Sequence, residues 1–135
     1  MSTNLITAIT ELDKSNFKTK IYAGGHFIYA DEPESIGGSD EGMTPGALLL
    51  ASLGSCTAIT IRMYADRKKW ELTETMIDVD FENEPAVKTA KMVVNIRLFG
   101  NLDEKQRERL LEIAHKCPIH KLLEKSIEIN VHLKD

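Results

Sequence analysis

Two cysteines, Cys56 and Cys117, are the residues of this sequence whose types point most directly to chemistry. A thiolate is a strong nucleophile, and its reactivity depends on how far its surroundings lower the thiol pKa. The chain has no Cys-x-x-Cys pair, so neither a zinc ribbon nor a disulfide framework is indicated. For Cys56 two interpretations stay open. It is either a small core residue or a thiol activated by a nearby cation. That cation would have to come from another part of the structure, because Arg62, six residues further on the same helix, would face away from Cys56.

Cys117 is followed directly by Pro118, a residue that favours the first turn of a helix. This order predicts that Cys117 is the N-cap of a short helix running to about residue 125. The dipole of that helix would favour a thiolate. The alternative is that Cys117 ends the apolar stripe of the preceding helix and only packs. The local sequence leaves both interpretations open.

The histidines raise the question of a metal site, because His115 and His120 flank Cys117 closely in the sequence. Zinc requires four protein ligands, or three ligands and a water molecule. A helix break at Pro118 would scatter these side chains, and His26 and His132 are remote in the sequence. We therefore expect no metal and no cofactor, with His120 at a helix surface or as a hydrogen-bond partner near Cys117.

Composition predicts a soluble globular chain with one domain over residues 1–135, since 42% of the residues are apolar. The net charge of −4 argues against nucleic-acid binding, which normally requires a basic face. No secretory signal is visible at the start. The uncharged run at 43–61 is too rich in small residues for a membrane span. We expect a cytoplasmic protein, with no membrane partner, whose thiols stay reduced.

The N-terminal third has the alternation and turn residues of strands, expected at 5–12, 17–23 and 26–30. Gly24-Gly25 separates the last two strands and predicts a hairpin. Residues 31–44 read as a loop with five acidic residues and no basic one. Such a loop is usually solvated, although one of its carboxylates could orient a basic partner.

A long helix is expected at 45–69, with Thr44 as N-cap and Pro45 in the first turn. Its first part, to Ile61, carries no charged residue on any face. A helix that is apolar all round is normally buried all round, so we expect a long buried central helix.

Two strands are expected at 77–82 and 92–99, and a helix at 103–116 with Asp103 and Gln106 as a capping box. A last strand is expected at 127–133, where apolar residues again alternate with polar ones. Strands and helices come in blocks, so the fold class is α+β.

Two segments of the chain resemble the cysteine motifs of one known family. The residues GGSDEGMTP at 37–45 and LLLASLGSCT at 48–57 resemble the first cysteine region of the OsmC/Ohr family. The residues CPIHKLL at 117–123 resemble its second cysteine motif. The order of the expected elements is also similar. The resemblance implies an OsmC-like fold with an N-terminal antiparallel sheet, a buried cysteine helix and a Cys-Pro helix.

The resemblance further implies a thiol-dependent peroxidase that reduces organic hydroperoxides without metal or haem. Cys56 matches the peroxidatic cysteine of the family, and Cys117 matches the resolving cysteine. Cys56 would become a sulfenic acid and then form a disulfide with Cys117. An external dithiol would reduce this disulfide. Family members form intertwined dimers, so a homodimer is expected. Such an enzyme would act in defence against oxidative stress.

The chain departs from the best-characterised members at two places. They carry a Glu where this chain has Gly46, and an Arg on the N-terminal strands where this chain has no Arg before Arg62. The basic residues of that region are Lys14, Lys18 and Lys20. Two other functions therefore stay open. One is a thiol-containing binding or redox-sensor protein without turnover, and the other is a structural dimer with inert cysteines.

Overall fold

The computed structural model describes residues 6–134. Within them the chain forms five strands, one short 3-10 helix and three α-helices, and the described residues divide into two compact units between Leu49 and Leu50. The elements in chain order are β1 (Ile9–Glu11), β2 (Thr19–Ala23), β3 (His26–Ala30), the 3-10 helix (Glu34–Ile36), α1 (Pro45–Lys68), β4 (Glu71–Asn83), β5 (Ala90–Asn101), α2 (Glu104–Ala114) and α3 (Pro118–Leu123). These elements confirm the α+β class. The expectation of a single domain stays a prediction.

The first unit is built on an antiparallel sheet in the order β1-β2-β3. Gly24 and Gly25 connect β2 to β3 with φ angles of +57° and +81°, and Ala23 pairs with His26. Positive φ at both central residues is the requirement of a tight hairpin turn, which explains the paired glycines. The predicted hairpin is confirmed. Strand β1 is shorter than the predicted segment 5–12, whose first residue lies outside the described part.

The acidic loop after β3 is organised by one buried carboxylate. Asp31 is 1% exposed and accepts backbone N–H groups of Glu32 at 2.8 Å, Ser39 at 3.3 Å and Glu41 at 3.2 Å. Burial opposes ionisation of Asp31, but these three donors outweigh it and lower the pKa of the carboxyl. The buried Asp31 carboxylate therefore stabilises the conformation of its own loop. The sequence analysis interpreted the acidic residues of this loop as solvated instead.

Helix α1 begins at Pro45, where the Thr44 hydroxyl accepts the backbone N–H of Ala47 at 3.1 Å. This side-chain cap satisfies one of the free N–H groups of the first turn. The described chain covers only one face of the helix. The buried residues of α1 are Leu53, Thr57, Ile61, Tyr64 and Ala65.

Within this chain α1 is covered on one face only, so the burial of its other faces by a second copy of the chain stays a prediction. Its most apolar window of 18 residues has a mean hydropathy of 1.4 and is only 22% buried. Ile59 and Met63 are 57% and 66% exposed. The apolar pattern of α1 indicates how hydrophobic the helix is but not how much of it is covered, because coverage depends on what packs against the helix. By length and composition alone, α1 is also long and apolar enough to cross a membrane, a test that core helices pass as well.

The second unit packs α1 and α2 on the long β4–β5 hairpin. Its core consists of Ile61, Tyr64, Ala65, Leu72, Leu110, Ile113 and Ala114. Helix α2 begins with the predicted capping box, in which Asp103 accepts the N–H of Gln106 at 2.8 Å and the Gln106 side chain accepts the N–H of Asp103 at 2.9 Å. The Arg62 side chain donates to the carbonyl of Leu72, and this contact joins α1 to the start of β4.

The chain after α3 differs from its prediction. Residues 126–134 adopt no regular secondary structure, so the strand predicted at 127–133 is wrong for this chain. The apolar residues of the pattern are strongly exposed: Ile127 by 54%, Ile129 by 79%, Val131 by 90% and Leu133 by 99%. A strand requires a neighbour that supplies backbone hydrogen bonds. Within the described residues this segment has no pairing strand.

Gly100 offers a test of how tightly β4 and β5 are joined. Its φ is +136°, and a Cβ would lie 2.0 Å from the carbonyl oxygen of Glu71. We expect Gly100→Ala to lower the free energy of unfolding by about 3 kcal/mol, because both the backbone conformation and the close approach forbid a side chain. Gly46→Ala is the matched control, since a Cβ there meets nothing within 4 Å. The control should be neutral or slightly stabilising. Equal denaturation midpoints for the two variants would contradict this account.

Candidate active site

Cys56 lies on α1 at the edge of its buried face. The next residue, Thr57, is 1% exposed, and its hydroxyl donates to the carbonyl of Leu53 at 2.8 Å. Cys56 itself is partly buried. Its own carbonyl accepts the hydroxyl of Thr60 at 2.8 Å. Cys56 is therefore anchored in a regular helical segment and keeps partial access to its surroundings.

Cys117 lies between α2 and α3 and has no exposed surface. It is the N-cap of α3, as predicted, and Pro118 is in the first turn. Its sulfur accepts the backbone N–H of His120 at 3.4 Å. The other interpretation is also partly correct, because Cys117 is buried next to the apolar end of α2 at Ile113 and Ala114.

The structure places the two cysteines close enough for each thiol to shift the pKa of the other. Burial raises the pKa of the Cys56 thiol, and the hydrogen bond with Cys117 raises it further. Burial also opposes ionisation of Cys117. Hydrogen bonds from the Cys56 thiol and from the backbone N–H groups of His120 and Ile119 outweigh that effect, so the pKa of Cys117 lies below its usual value. Cys117 is the more acidic thiol of the pair.

The donors that act on the Cys117 sulfur are neutral groups. Arg62, the arginine nearest to Cys56 in the sequence, is engaged elsewhere, since its guanidinium pairs with Asp66 at 2.6 Å and binds the Leu72 carbonyl. Arg109, on α2, donates to the Tyr64 hydroxyl at 3.0 Å. These two arginines support the scaffold. The thiol pair is stabilised by backbone and thiol donors instead.

Only two of the four histidines come together. The rings of His115 and His120 are 5.5 Å apart, and His120 Nε2 lies 3.2 Å from a carboxylate oxygen of Glu124. His26 lies on β3, and His132 lies in the exposed C-terminal segment. Among residues 6–134 no three His, Cys, Asp or Glu side chains converge into a metal-binding group. No residue set is therefore assigned to a metal.

Two cavities border the residues next to the cysteines. The larger, of about 560 Å³, is mainly apolar with three ionisable side chains, and it is lined by Leu53, Ala90, Lys91, Met92, Val94, His120, Leu123 and Glu124. The smaller, of about 280 Å³, includes Thr57 and His120 in its wall. A cavity with apolar walls and a few polar groups is typical of a site for a small organic ligand.

Sequence reasoning missed three features of this site. Thr57 contributes to lowering the pKa of Cys117, and the sequence analysis assigned it no role of its own. Glu124 partners His120 in the ordinary i,i+4 spacing, which is a visible signal. The wall formed by Met92 and Val94 of β5 depends on how the sheet packs on the helices, and no local pattern reveals that.

The fold of the chain matches several solved structures. Three solved structures are similar over most of their length. A Psychrobacter arcticus protein, described provisionally as an osmotic stress induced and detoxification response protein, is 21% identical with a TM-score of 0.74, and the match covers 90% of each chain. An OsmC like protein from Mycoplasma pneumoniae is 18% identical with a TM-score of 0.73, covering 91% of this chain and 88% of that one.

The third structure is an organic hydroperoxide resistance protein OsmC from Legionella pneumophila, which is 18% identical with a TM-score of 0.66 and 92% coverage of each chain. Identities at this level show a shared fold. No curated protein matches the chain. The family model described as "OsmC-like protein" matches residues 38–132, which include both cysteines. The chain therefore belongs to the OsmC-like protein family.

Proposed function

We propose that this protein is a thiol-dependent peroxidase that reduces organic hydroperoxides. The observation that carries the proposal is the proximity of the Cys56 and Cys117 thiols, each of which shifts the pKa of the other. Two thiols in contact can pass from dithiol to disulfide with little movement of the backbone. Membership of the OsmC-like family, which includes a relative named for organic hydroperoxide resistance, supports the same chemistry.

The difference in accessibility supports the roles proposed for the two cysteines. Cys56 is partly accessible and takes the role of the attacking residue, whereas Cys117 has no exposed surface. The Cys56 sulfur attacks the terminal oxygen of the hydroperoxide, a sulfur–oxygen bond forms and the oxygen–oxygen bond breaks. The alkoxide leaves and takes up a proton to become an alcohol. The Cys117 sulfur then attacks the sulfenic sulfur, so that a disulfide forms and water leaves.

The larger cavity suits the organic part of such a substrate. Leu53 lies one turn before Cys56 on α1, and Met92 and Val94 face the same space from β5. These apolar side chains favour a hydrocarbon group over water. Lys91 and Glu124 line the same cavity and supply polar partners for a polar functional group on the organic part of the substrate.

Turnover requires an external dithiol. A thiolate of that reductant attacks the Cys56–Cys117 disulfide, and a second thiol of the same molecule completes the exchange. The reductant leaves as a disulfide and both cysteines return to thiols. This cycle fits a cytoplasmic enzyme of the oxidative-stress response, because the cytoplasm maintains dithiol pools.

We also propose that the protein is a homodimer. The uncovered face of α1, with Ile59 and Met63, and the exposed apolar residues of the C-terminal segment are too extensive for a monomer in water. The segment at 127–133 keeps the alternation of a strand without a pairing strand among residues 6–134. A second copy would cover α1 and supply the missing backbone partner.

A second candidate is a redox sensor or binding protein of the same fold without peroxidase turnover. Its support is the glycine at position 46 and the lack of any arginine before Arg62, since the well-characterised peroxidases of the family use an Arg–Glu pair. A sensor would form the disulfide once and wait for reduction. Multiple turnovers with a dithiol present distinguish the enzyme from the sensor.

The roles of the cysteines are tested by substitution. We expect Cys56→Ser to abolish reaction with cumene hydroperoxide, because the accessible nucleophile is gone. Cys117→Ser should still form a sulfenic acid on Cys56, and this acid should over-oxidise under excess peroxide because no thiol resolves it. Dimedone trapping followed by mass spectrometry reads out both results. A dimedone adduct on Cys117 in the Cys56→Ser protein, and none on Cys56 in the other variant, would reverse the roles.

The dimer is tested by light scattering coupled to size exclusion. We expect a mass near twice the 15.2 kDa of one chain. Ile59→Glu should shift the mass towards one chain, because it buries a charge in the proposed interface. Lys105→Glu on the exposed part of α2 introduces the same residue away from that face and should leave the mass unchanged. A wild-type protein that elutes as a monomer would exclude this assembly.

A further inference from the structure

We propose that His120, held in place by Glu124, donates the proton that the departing alkoxide takes up when the hydroperoxide is cleaved. This inference rests on the proposed peroxidase function and deepens it, because it names the source of that proton. It adds a catalytic residue that is neither of the two cysteines.

The position of His120 is the first support. Its backbone N–H donates to the Cys117 sulfur at 3.4 Å, so the residue is anchored directly beside one of the two thiols. His120 also lines both the larger and the smaller cavity. Leu53, one turn before Cys56 on α1, lines the larger cavity, and Thr57, directly after Cys56, lines the smaller one. His120 therefore borders the same cavities as the helix segment that carries Cys56.

The second support is the carboxylate that holds the imidazole. Glu124 Oε2 lies 3.2 Å from His120 Nε2, and the two residues are four positions apart in the sequence. The His120 side chain is 27% exposed, whereas that of Glu124 is 70% exposed. A carboxylate bound to one ring nitrogen fixes the orientation of a histidine ring. Because Glu124 occupies Nε2, Nδ1 is the ring nitrogen that remains for a ligand.

The other ionisable groups around His120, besides the thiols and Glu124, are less suited as the donor. The ring of His115, after α2, lies 5.5 Å from that of His120, but its Nδ1 lies 3.1 Å from the Leu111 carbonyl. Lys91 of β5 lines the larger cavity, but its side chain is 70% exposed and its ammonium lies 4.0 Å from a Glu82 oxygen. Among residues 6–134, His120 is the one ionisable side chain that belongs to the walls of both cavities.

The chemistry of the leaving group requires such a donor. An alkoxide is a strong base, and its release as an anion beside the apolar walls of the larger cavity is costly. Arg62 and Arg109 are bound to Asp66 and Tyr64, so they do not stabilise this anion. A positioned acid that transfers its proton as the oxygen–oxygen bond breaks accelerates a reaction by roughly 10²–10⁴-fold.

The step balances with a protonated His120. The Cys56 thiolate attacks the terminal oxygen of the hydroperoxide, so a sulfur–oxygen bond forms and the oxygen–oxygen bond breaks. The departing oxygen takes the proton from His120, which gives the Cys56 sulfenic acid, an alcohol and a neutral imidazole. The Cys117 thiol then condenses with the sulfenic acid, and a disulfide and water form. The imidazole takes up a new proton from solvent before the next turnover.

The proton donor is tested with two peroxides that differ in the basicity of the leaving oxygen. Cumene hydroperoxide releases an alkoxide, whereas peracetic acid releases acetate, a weak base that leaves without a proton. We expect His120→Gln to lower the single-turnover rate with cumene hydroperoxide at pH 6 by about 100-fold, the low end of what a positioned acid contributes. The rate with peracetic acid should hardly change, because glutamine keeps the backbone donor to Cys117.

A pH profile supplies a second readout, which a purely structural role of His120 would not move. The ratio of the wild-type rates with cumene hydroperoxide and with peracetic acid removes the titration of the Cys56 thiol, because both peroxides react with the same thiolate. This ratio should fall as the pH rises from 5 to 7, a range in which histidine side chains lose their proton. In His120→Gln the ratio should not depend on pH.

Two further variants complete the test. Glu124→Gln keeps a hydrogen-bonding partner for His120 but removes the negative charge, so we expect a smaller loss with cumene hydroperoxide than in His120→Gln and none with peracetic acid. Lys121→Gln is the matched control, because Lys121 is the next residue on α3 and lines neither cavity. This control should leave both rates unchanged. Circular dichroism of each variant shows whether it is folded.

The outcomes separate this inference from the proposed function. Equal losses with both peroxides in His120→Gln would mean that the residue only positions α3, and they would overturn the proposal. A wild-type rate with cumene hydroperoxide in that variant would overturn it as well. In both cases the wild-type protein still consumes hydroperoxide. A wild-type protein that consumes neither peroxide would exclude the peroxidase itself, and the proton donor with it.

Discussion

The contact between the Cys56 and Cys117 sulfurs is the interaction on which the rest of the site depends. Cys56 is fixed by a continuous helix, but Cys117 is held at the start of α3, which has six residues and none buried. A helix of that length has little stability of its own in water. Its position depends on Pro118 and on the cap that the Cys117 sulfur provides. The same helix places His120 and Leu123 in the wall of the larger cavity. The Cys117 sulfur that caps α3 therefore affects both the thiol chemistry and the shape of that cavity.

The scaffold around this contact uses its arginines for structure. Arg62 binds the carbonyl of Leu72, and Arg107 binds the carbonyl of Leu98 at 2.9 Å. Both contacts tie a helix to the β4–β5 hairpin over the core residues Ile61 and Leu110, which have no exposed surface. A cation committed to a backbone carbonyl is not available to a thiolate. The neutral donors at Cys117 are consistent with this division of roles.

Local signals in the sequence were sufficient for most elements. The cap at Thr44, the capping box of Asp103 and Gln106, the paired glycines of the hairpin and the Cys-Pro helix were each predicted and are present. Boundaries moved by a few residues, because helix ends are set by competing hydrogen bonds. The contact of the two cysteines came from the family resemblance and not from any local pattern. It depends on how α1 packs against the turn after α2, which a one-dimensional pattern does not contain.

The uncovered face of α1 and the missing C-terminal strand share one physical cause. Apolar periodicity reports that a surface needs cover, but it does not say that the same chain supplies it. This applies to the uncovered face of α1 and to the C-terminal segment with Ile129 and Val131.

The thiol pair differs from these surfaces, because residues of the second unit bury it and set the pKa values of its two sulfurs. A lowered pKa of Cys117 favours the folded state above the ordinary thiol pKa, and this gain declines as the pH falls through the folded value. A raised pKa of Cys56 favours the folded state below the ordinary value, and this gain is lost as the pH rises through the folded value. The two contributions have opposite signs, so they oppose each other in the pH dependence of the free energy of unfolding.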